Sequence, residues 1–598
     1  MSGLPLRSEL PKELTWDLTL LYEDQAAFDA GIDEVKALVE NFKTQYQGQL
    51  TSAEQVAKTL IDYNEIFILR DHLVNYGELS YSVELTNATA EKNVMVVDQL
   101  REWISQNVAF FKSELLSLDS TVIDQVKAME SMVKFVPFIE EIERQRPTLF
   151  DAETEGILGA LSGTLFGQEK LYNAWKFEDL TFEDFEVDGE TFHTSFAGFE
   201  QDLEVHPSKE VRHKAWKSFH DGLANYQNVA AGNYISLVKT HKKMATLRGF
   251  DSVFDYLLFS QNVTPKDYNN IIDTLMKEWA PVMRRYAGML KEEQGLDEIS
   301  LADIKISFSK DPAQKISIEE SRSMVQMALS SLGDEYSEIV ERAFEERWID
   351  YPMNQGKLTG GFCASPYAKP NYILLNWTGL LNEVLVLAHE LGHAGNFALS
   401  SRSQTQLSVE PSLYFVEAPS TCNEVIMCQY LLSQPLDNAA KRNLLAGFVT
   451  STYYHNMVTH LLEATYQRKV YQAIDKGEVL NARVLNQFFR ESLEEFWGDA
   501  LIINDGAELT WMRQPHYFDG LYSYTYSAGL SIGTQMGQLI AKGDQEAIDL
   551  WIEVLRQGGS KAPLDLARMA NVDMSTPEPL RQAIAYVSEL LDQIDALK

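Results

Sequence analysis

The stretch LNEVLVLAHELGHAGNFALS, residues 381–400, decides the fold and the site together. It places His389, Glu390 and His393 in a segment that is otherwise almost wholly apolar or small. This pattern predicts a packed helix, on which positions i and i+4 lie one turn apart on the same face. Both imidazoles can therefore reach one zinc ion, and Glu390 can act as general base for a zinc-activated water, as in H-E-x-x-H sites. The alternative interpretation is two core histidines bonded to neighbouring carbonyl groups.

The chain around this helix is predicted to be mostly helical, with two short extended patches. The alternating pattern about Asp188 and Gly189 predicts a β-hairpin. Two strands joined by a proline-containing loop are predicted within residues 356–376, in the stretches GKLTGGFCAS and NYILLN. Thr378 is the predicted N-cap of the helix that follows. A repeat of small residues near the C-terminus predicts close helix packing: Gly529, Gly533 and Gly537.

A catalytic zinc site needs a third protein ligand, and three glutamates lie downstream of the histidines. Glu410, Glu417 and Glu424 are seven residues apart, which is close to two helical turns. Pro419 fits the first turn of a helix, so we expect this helix to begin near Glu417 or the next residue. We favour Glu417 as the ligand and Glu424 as a carboxylate that orients one of the histidines, although spacing alone does not rank them.

A cluster of polar aromatic side chains lies in WMRQPHYFDGLYSYTYSAG, residues 511–529. Its members are His516, Tyr517, Tyr522, Tyr524 and Tyr526. Hydrolysis of a peptide bond passes through an oxyanion, which tyrosine hydroxyl groups and a histidine can stabilise by donating hydrogen bonds. Packing of the aromatic rings against each other is the alternative role for such a cluster.

The composition excludes several classes of partner. The 598 residues carry 87 acidic and 51 basic side chains, a formal net charge of −36, which disfavours nucleic acids and anionic membranes. The first residues contain no apolar core of a signal peptide, and no run is long enough to span a membrane. Three cysteines without a disulfide-like spacing indicate a reducing compartment, so we expect a cytoplasmic protein.

These motifs together resemble the oligoendopeptidase F family of the M3 zinc metallopeptidases. The resemblance runs along nearly the whole chain, through ELTWDLTLLYED, EVRHKAW, LRGFDS, GKLTGGFC, HELGH, FVEAPSTCNE and PHYFDGLYSYTYSAG. It implies a mainly α, two-lobed fold of the zincin type, with a deep substrate channel and a small β-sheet beside the active site. We predict an N-terminal helical lobe over residues 1–200 and a catalytic region over residues 201–590.

The resemblance also implies roles for individual residues and one Zn²⁺ per chain. Glu417 corresponds to the third zinc ligand, and Glu424 supports the site. His516 and Tyr524 correspond to the family's histidine and tyrosine that stabilise the oxyanion. The implied substrates are short, unstructured oligopeptides, which could add as an extended strand to the exposed sheet edge. The predicted substrate-contacting residues are Gly360, Gly361, Tyr517 and Tyr522.

We therefore predict a zinc-dependent endopeptidase that hydrolyses internal bonds of oligopeptides. A metallocarboxypeptidase is a second possibility, and it would need a cation to hold the free carboxylate of its substrate, for which Arg513 is the nearest candidate. A helical peptide-binding protein with an inert motif is a third, and it predicts no stoichiometric zinc. The sequence leaves the oligomeric state open.

Overall fold

The computed structural model describes residues 4–308 and 315–598 of the chain. The N-terminal part consists of amphipathic helices that pack their apolar faces on each other. These helices are α1 (Gln25–Tyr46), α2 (Ala53–Ser82), α3 (Ala88–Val108), α4 (Phe110–Ser117), α5 (Ser120–Ala128), α6 (Val136–Gln145), α7 (Ala152–Leu165) and α8 (Gln168–Ala174). Asp24 and Ser52 precede α1 and α2 and accept hydrogen bonds from backbone N–H groups of the first turn, which explains where both helices begin.

The remainder of the chain is also mainly helical, as predicted. Its helices are α9 (Phe196–Gly198), α10 (Lys209–Leu247), α11 (Val253–Gln261), α12 (Pro265–Thr274), α13 (Ala280–Gln294), α14 (Ile318–Leu329), α15 (Asp334–Glu345), α16 (Leu381–Ser403), α17 (Leu413–Ser433), α18 (Asn438–Phe448), α19 (His460–Asp475), α20 (Ala482–Trp497), α21 (Tyr524–Ala541), α22 (Gln545–Gln557), α23 (Pro563–Met569) and α24 (Glu578–Ala596). A π-helical segment, Val449–Thr459, joins α18 to α19. In the described parts of the chain, no helix has the length and apolar character that a membrane span requires.

Two small sheets confirm the extended patches that the sequence predicted. The hairpin pairs β1 (Phe185–Val187) with β2 (Glu190–Phe192), and its two turn residues, Asp188 and Gly189, take φ angles of 50° and 83°. The second sheet has the order β3-β5-β4, with β3 at Ile349–Asp350, β4 at Phe362–Ala364 and β5 at Tyr372–Leu374. Strand β3, which the sequence did not predict, pairs parallel to β5, and β4 pairs antiparallel to it. Strand β4 is therefore an edge strand of this sheet as described.

The fold has two lobes, each with its own apolar core. The core of the first lobe extends from Phe28 to Ile142, and the larger core extends from Tyr172 to Ile594. A smaller cluster, which includes Leu79 of α2 and Leu374 of β5, joins the first lobe to the three-stranded sheet. The change of core thus precedes residue 200, and the division into residues 1–200 and 201–590 stays a prediction.

Candidate active site

Helix α16 carries the histidine pair and is anchored at both its start and its middle. It begins at Leu381, and the carboxylate of Glu383 accepts hydrogen bonds from backbone N–H groups in the preceding turn. The predicted N-cap, Thr378, is wrong: Leu380 is the N-cap residue, and the hydroxyl of Thr378 instead donates to the carboxylate of Glu383. At mid-helix, the hydroxyl of Tyr336 donates to the carbonyl of Leu391 over 3.0 Å. The helix that presents the histidines is thus held rigidly.

Three donor atoms converge at the predicted metal site. Oε2 of Glu417 lies 3.4 Å from Nε2 of His389 and 3.4 Å from Nε2 of His393. Zinc ligands at about 2.0–2.1 Å in tetrahedral geometry are about 3.3–3.4 Å apart, so the spacing and the donor types both suit a zinc ion. Glu417 belongs to α17, which begins at Leu413 instead of near Glu417, so Pro419 lies inside the helix and not in its first turn.

A chain of hydrogen bonds orients the first histidine. Nδ1 of His389 lies 2.7 Å from Oε1 of Glu424, and the hydroxyl of Thr452 donates to the other oxygen of that carboxylate. This contact leaves Nε2 of His389 for the metal. Burial opposes a charge on His389, but Glu417 and Glu424 outweigh it and raise its pKa. The carboxylates therefore favour positive charge here, which a divalent cation would supply.

The carboxylate of Glu417 has hydrogen-bonding partners on both oxygens. Ser420, one turn further along α17, donates to Oε2 over 2.9 Å. The hydroxyl of Tyr522 donates to Oε1 over 3.2 Å. Since Ser420 and Tyr522 approach from different elements, they fix the orientation of the carboxylate relative to the two histidines.

Glycines set the distance between the three helices of the site. A Cβ atom at Gly392 of α16 would lie 2.5 Å from Cα of Ser420, and one at Gly529 of α21 would lie 2.8 Å from Cβ of Glu417. The predicted packing role of the repeat is confirmed at Gly533 and Gly537 as well, where a Cβ would meet α17 at 2.4 Å and 2.7 Å. The backbones of α16, α17 and α21 approach as closely as they do because these positions have no side chain.

Glu390 points its carboxylate into the region beside the metal ligands. It is only 6% exposed, and burial raises the pKa of its carboxyl group against the opposing charges of His389 and His393. A carboxyl group with a raised pKa is better matched to proton transfer near neutral pH. A Cβ at Gly361 would lie 3.2 Å from Cγ1 of Val386 and 3.3 Å from the carbonyl oxygen of Leu374, which is closer than ordinary contact, so glycine lets this segment pack tightly beside α16. The adjacent Gly360 takes a φ of 85°, which favours glycine.

A cavity of about 1210 Å³ opens beside these residues. Asp71 and Asn75 of α2 line one side of it, and Phe362 and Cys363 of β4 line another. The helices α16 and α17 and the π-helical segment complete the wall. The cavity therefore lies between the two lobes, with an edge strand along its side, as the predicted substrate channel requires.

Carboxylates dominate the cavity wall beyond the metal site. Asp71, Glu200, Glu204 and Glu410 line it, whereas Lys305 is the one lysine or arginine among the described lining residues. Lys305 is neutralised by Glu204, 2.8 Å away. Burial and the neighbouring charge of Glu410 raise the pKa of Asp71 to about 6. The electrostatic field in the cavity therefore favours cationic groups.

The C-terminal motif divides between the cavity and the protein core. Tyr522 and Tyr526 line the cavity, and their rings lie 5.1 Å apart. His516 lies against both rings, with centroid distances of 5.4 Å to Tyr522 and 5.5 Å to Tyr526. The structure thus brings Tyr522 and Tyr526 to the cavity wall and His516 against their rings. Tyr526 belongs to the predicted cluster of oxyanion donors but was assigned no role of its own.

Two tyrosines of the motif lie elsewhere. Tyr524 is 1% exposed, and its hydroxyl donates to Oε1 of Gln261 over 2.6 Å, so it is not available to an oxyanion. Tyr526 follows Tyr524 by two residues on α21, and two residues turn a side chain by about 200°, so the two tyrosines point to opposite sides of the helix. Tyr517 is also 1% exposed and packs on Tyr234 in the core. The assignments of Tyr524 to the oxyanion and of Tyr517 to the substrate therefore do not fit the structure.

Comparison with known proteins assigns the family. The profile described as peptidase family M3 matches residues 203–586. The chain belongs to peptidase family M3. This M3 peptidase is therefore an enzyme, a metallopeptidase, and the resemblance found in its motifs is confirmed.

Individual relatives extend over the whole M3 peptidase. Oligopeptidase PepF of Bacillus subtilis (strain 168) is 26% identical over 597 residues, covering 99% of this chain and 88% of its own length. An oligoendopeptidase F homolog of Lactococcus lactis subsp. lactis is 23% identical and covers 99% of this chain and 98% of its own. The solved structure of oligoendopeptidase-F from Enterococcus faecium superimposes with a TM-score of 0.75 at 19% identity, covering 95% and 98% of the two chains, and it supports the fold.

Sequence reasoning missed several residues of the M3 peptidase site. Thr452 and Ser420 act through carboxylates that the sequence did identify, and neither has a spacing that marks it. Tyr526 had a usable signal, since it lies four residues from Tyr522. Glu463 had one too, three residues after His460 on what proves to be α19.

Proposed function

We propose that the M3 peptidase is a zinc-dependent endopeptidase that hydrolyses internal bonds of short, unstructured oligopeptides. The observation that carries this proposal is the convergence of His389, His393 and Glu417 at 3.4 Å spacing, with Glu390 beside them at the wall of the cavity. The names of the relatives, oligopeptidase and oligoendopeptidase, agree with it.

The chain's own residues divide the chemistry among them. A zinc ion held by the three ligands would polarise the scissile carbonyl group and lower the pKa of water towards about 7. Glu390 takes a proton from the attacking water and later passes it to the leaving amine. Burial raises the pKa of Glu390 and so brings it closer to neutral pH, which suits a group that first accepts and then releases a proton.

Hydrogen-bond donors for the oxyanion come from the C-terminal motif. We assign this role to Tyr526, which lines the cavity, and to His516, whose ring packs against it, since the hydroxyl of Tyr522 is already bonded to Glu417. Donors of this type contribute about 10²–10³ in kcat. The role of Tyr522 is instead to orient the metal ligand Glu417 through this hydrogen bond.

The shape and charge of the cavity determine the substrate class. Strand β4 pairs with β5 on one side only within the described residues, so an extended peptide can add along its other edge. Main-chain hydrogen bonds of this kind tolerate many side chains. The carboxylates Asp71 and Glu410 line the cavity and favour peptides that carry basic residues.

The cavity wall disfavours the carboxypeptidase alternative. Such an enzyme needs an unpaired cation for the terminal carboxylate of its substrate. Arg513 is 5% exposed and lies 2.9 Å from Glu200 and 3.4 Å from Glu204. Lys305 is also paired with Glu204. Neither cation is therefore free to bind a substrate terminus.

Digestion of a mixed pool of end-blocked peptides, followed by mass spectrometry, tests the proposal. We expect internal cleavage that a chelator abolishes and one equivalent of zinc restores. Glu390→Gln should retain zinc and lose about 10²–10⁴ in kcat, whereas Glu494→Gln, the same change on an exposed position of α20, should be neutral. Internal cleavage that survives complete removal of zinc would exclude the proposal.

We also propose a cytoplasmic location. Cys363, Cys422 and Cys428 form no disulfide with each other, which agrees with a reducing compartment.

A further inference from the structure

A buried carboxylate outside the metal site gathers three hydrogen-bond donors. Glu463 of α19 is 2% exposed, and its Oε2 atom lies 3.0 Å from Nδ1 of His460 and 3.0 Å from Nδ1 of His516. The hydroxyl of Ser523 donates to the same atom over 2.9 Å. Its other oxygen is buried without a partner in the described part of the chain. The donors on one oxygen are therefore what stabilises the carboxylate.

The charge state of this cluster follows from its environment. Burial opposes ionisation of Glu463, but His460 and His516 outweigh it and lower the pKa of the carboxyl group. Burial lowers the pKa of His460. For His516, burial acts in the same direction, but the hydrogen bond to Glu463 and its charge outweigh burial and raise the pKa. The directions of these shifts favour an ionised Glu463, an uncharged His460 and a charged His516.

The hydrogen bonds also fix which ring nitrogens carry protons. An ionised carboxylate only accepts, so His460 and His516 both present Nδ1–H to Glu463. Nε2 of His460 lies 3.2 Å from Nε2 of His455, a cavity-lining residue. A neutral His460 accepts there from His455. For His516, Nε2 forms no hydrogen bond within the described residues, and it can donate when the ring carries both protons.

We propose that Glu463 is a positioning residue for peptide hydrolysis, because it holds the ring of His516 in one orientation with Nδ1–H bound and Nε2–H free to donate to the substrate. The inference rests on the proposed function, in which His516 stabilises the oxyanion. It follows the general rule that a carboxylate behind a histidine sets the tautomer and direction of the ring.

Other charged and titratable groups also face His516, and the test must account for them. They are His460 on α19, His455 on the π-helical segment, Glu417 on α17, and Asp519, Tyr522 and Tyr526 on its own segment and α21. Among them, Asp519 and Glu417 also favour a charged His516. Of the residues that the structure describes, Glu463 is the one within hydrogen-bond distance of the ring, so its removal should have the largest effect.

Nuclear magnetic resonance of the zinc-loaded enzyme with isotope-labelled histidines tests the positioning directly. His516→Gln identifies the signal of His516. In the wild type we expect the Nδ1–H proton of His516 to be protected from exchange with water and the ring of His516 to have a pKa above about 6.5. In Glu463→Gln the pKa of His516 should fall by about one unit or more, while in Glu494→Gln it should stay unchanged.

Kinetics then link the position of the ring to turnover. Glu463→Gln should lower kcat about 10–100-fold with KM and zinc content unchanged. An unchanged pKa of His516 in folded Glu463→Gln, or an unchanged kcat, would overturn the inference. If this variant does not fold, the measurement on the wild-type enzyme tests the inference. A His516 ring without a proton on Nδ1, or one with a pKa below about 6.5, would also overturn it. Chelator-insensitive cleavage would instead overturn the proposed function, since the titration of His516 does not depend on turnover.

Discussion

Replacing Gly392 by alanine should weaken zinc binding without touching a ligand. A Cβ at this position would lie 2.5 Å from Cα of Ser420 and 2.6 Å from the carbonyl oxygen of Pro419. Ordinary contact begins near 3.4 Å, so α16 and α17 must separate by about 0.9 Å. The obstructing atoms belong to the backbone of α17, and no side-chain rotation can relieve the contact.

The size of the effect follows from the tolerance of metal coordination. Ligand distances in metal sites are held to about 0.2 Å, so a displacement of Glu417 from the histidines by several times that amount should cost at least about 10-fold in zinc affinity. Overpacking itself should lower the free energy of unfolding by about 1–3 kcal/mol. Gly288→Ala is the matched control, because nothing lies within 4 Å of a Cβ there, in the exposed middle of α13. It should stabilise the protein by about 0.5–1 kcal/mol.

Competition with a chromophoric chelator measures the zinc affinity, and urea unfolding of the zinc-loaded protein measures the stability. We expect Gly392→Ala and Gly288→Ala to change the unfolding midpoint in opposite directions. A Gly392→Ala protein that binds zinc within twofold of the wild type and unfolds at the same urea concentration would refute the argument that glycine contacts set the ligand geometry.

Two further substitutions test the site. Glu424→Gln should lower zinc affinity about 10–100-fold in the same chelator assay, because the amide no longer supplies the charge that orients His389; an unchanged affinity would rule out this role. Tyr526→Phe should lower kcat about 10²–10³-fold. Tyr524→Phe should leave kcat unchanged but lower the free energy of unfolding by about 1 kcal/mol, because it loses the hydrogen bond to Gln261. A loss of kcat in Tyr524→Phe and not in Tyr526→Phe, measured by steady-state kinetics, would instead assign oxyanion stabilisation to Tyr524.

The parts of the site that follow local rules could be predicted from the sequence. His389 and His393 lie on one face because an α-helix has a fixed period, and this needs no knowledge of the rest of the fold. The hairpin at Asp188 and Gly189 is similarly local, since these residues tolerate positive φ. The glycine repeat of α21 also carried its own signal, as small residues at every fourth position leave room for a neighbouring helix.

The remaining errors arise where tertiary contacts decide. The sequence pattern predicts Pro419 in the first turn of a helix. Helix α17 instead extends six residues before Pro419, because most of that segment packs into the core. Tyr524 was chosen by motif similarity, and its true side depends on where α21 begins. Strand β3 has only Ile349 and Asp350, too few to give a pattern, and it forms because β5 offers a partner. Thr452 and Ser420 are recognisable only once their carboxylate partners are located.

The π-helical segment Val449–Thr459 has a consequence of its own. Its Thr452 reaches the carboxylate behind the metal ligands, and its His455 reaches the buried histidine of the neighbouring cluster. A π-helix has more residues per turn than an α-helix, so deletion of one residue would let the segment adopt α-helical geometry. The side chains of the segment would then rotate about the helix axis. The enzyme should therefore be intolerant of a single-codon deletion within this segment.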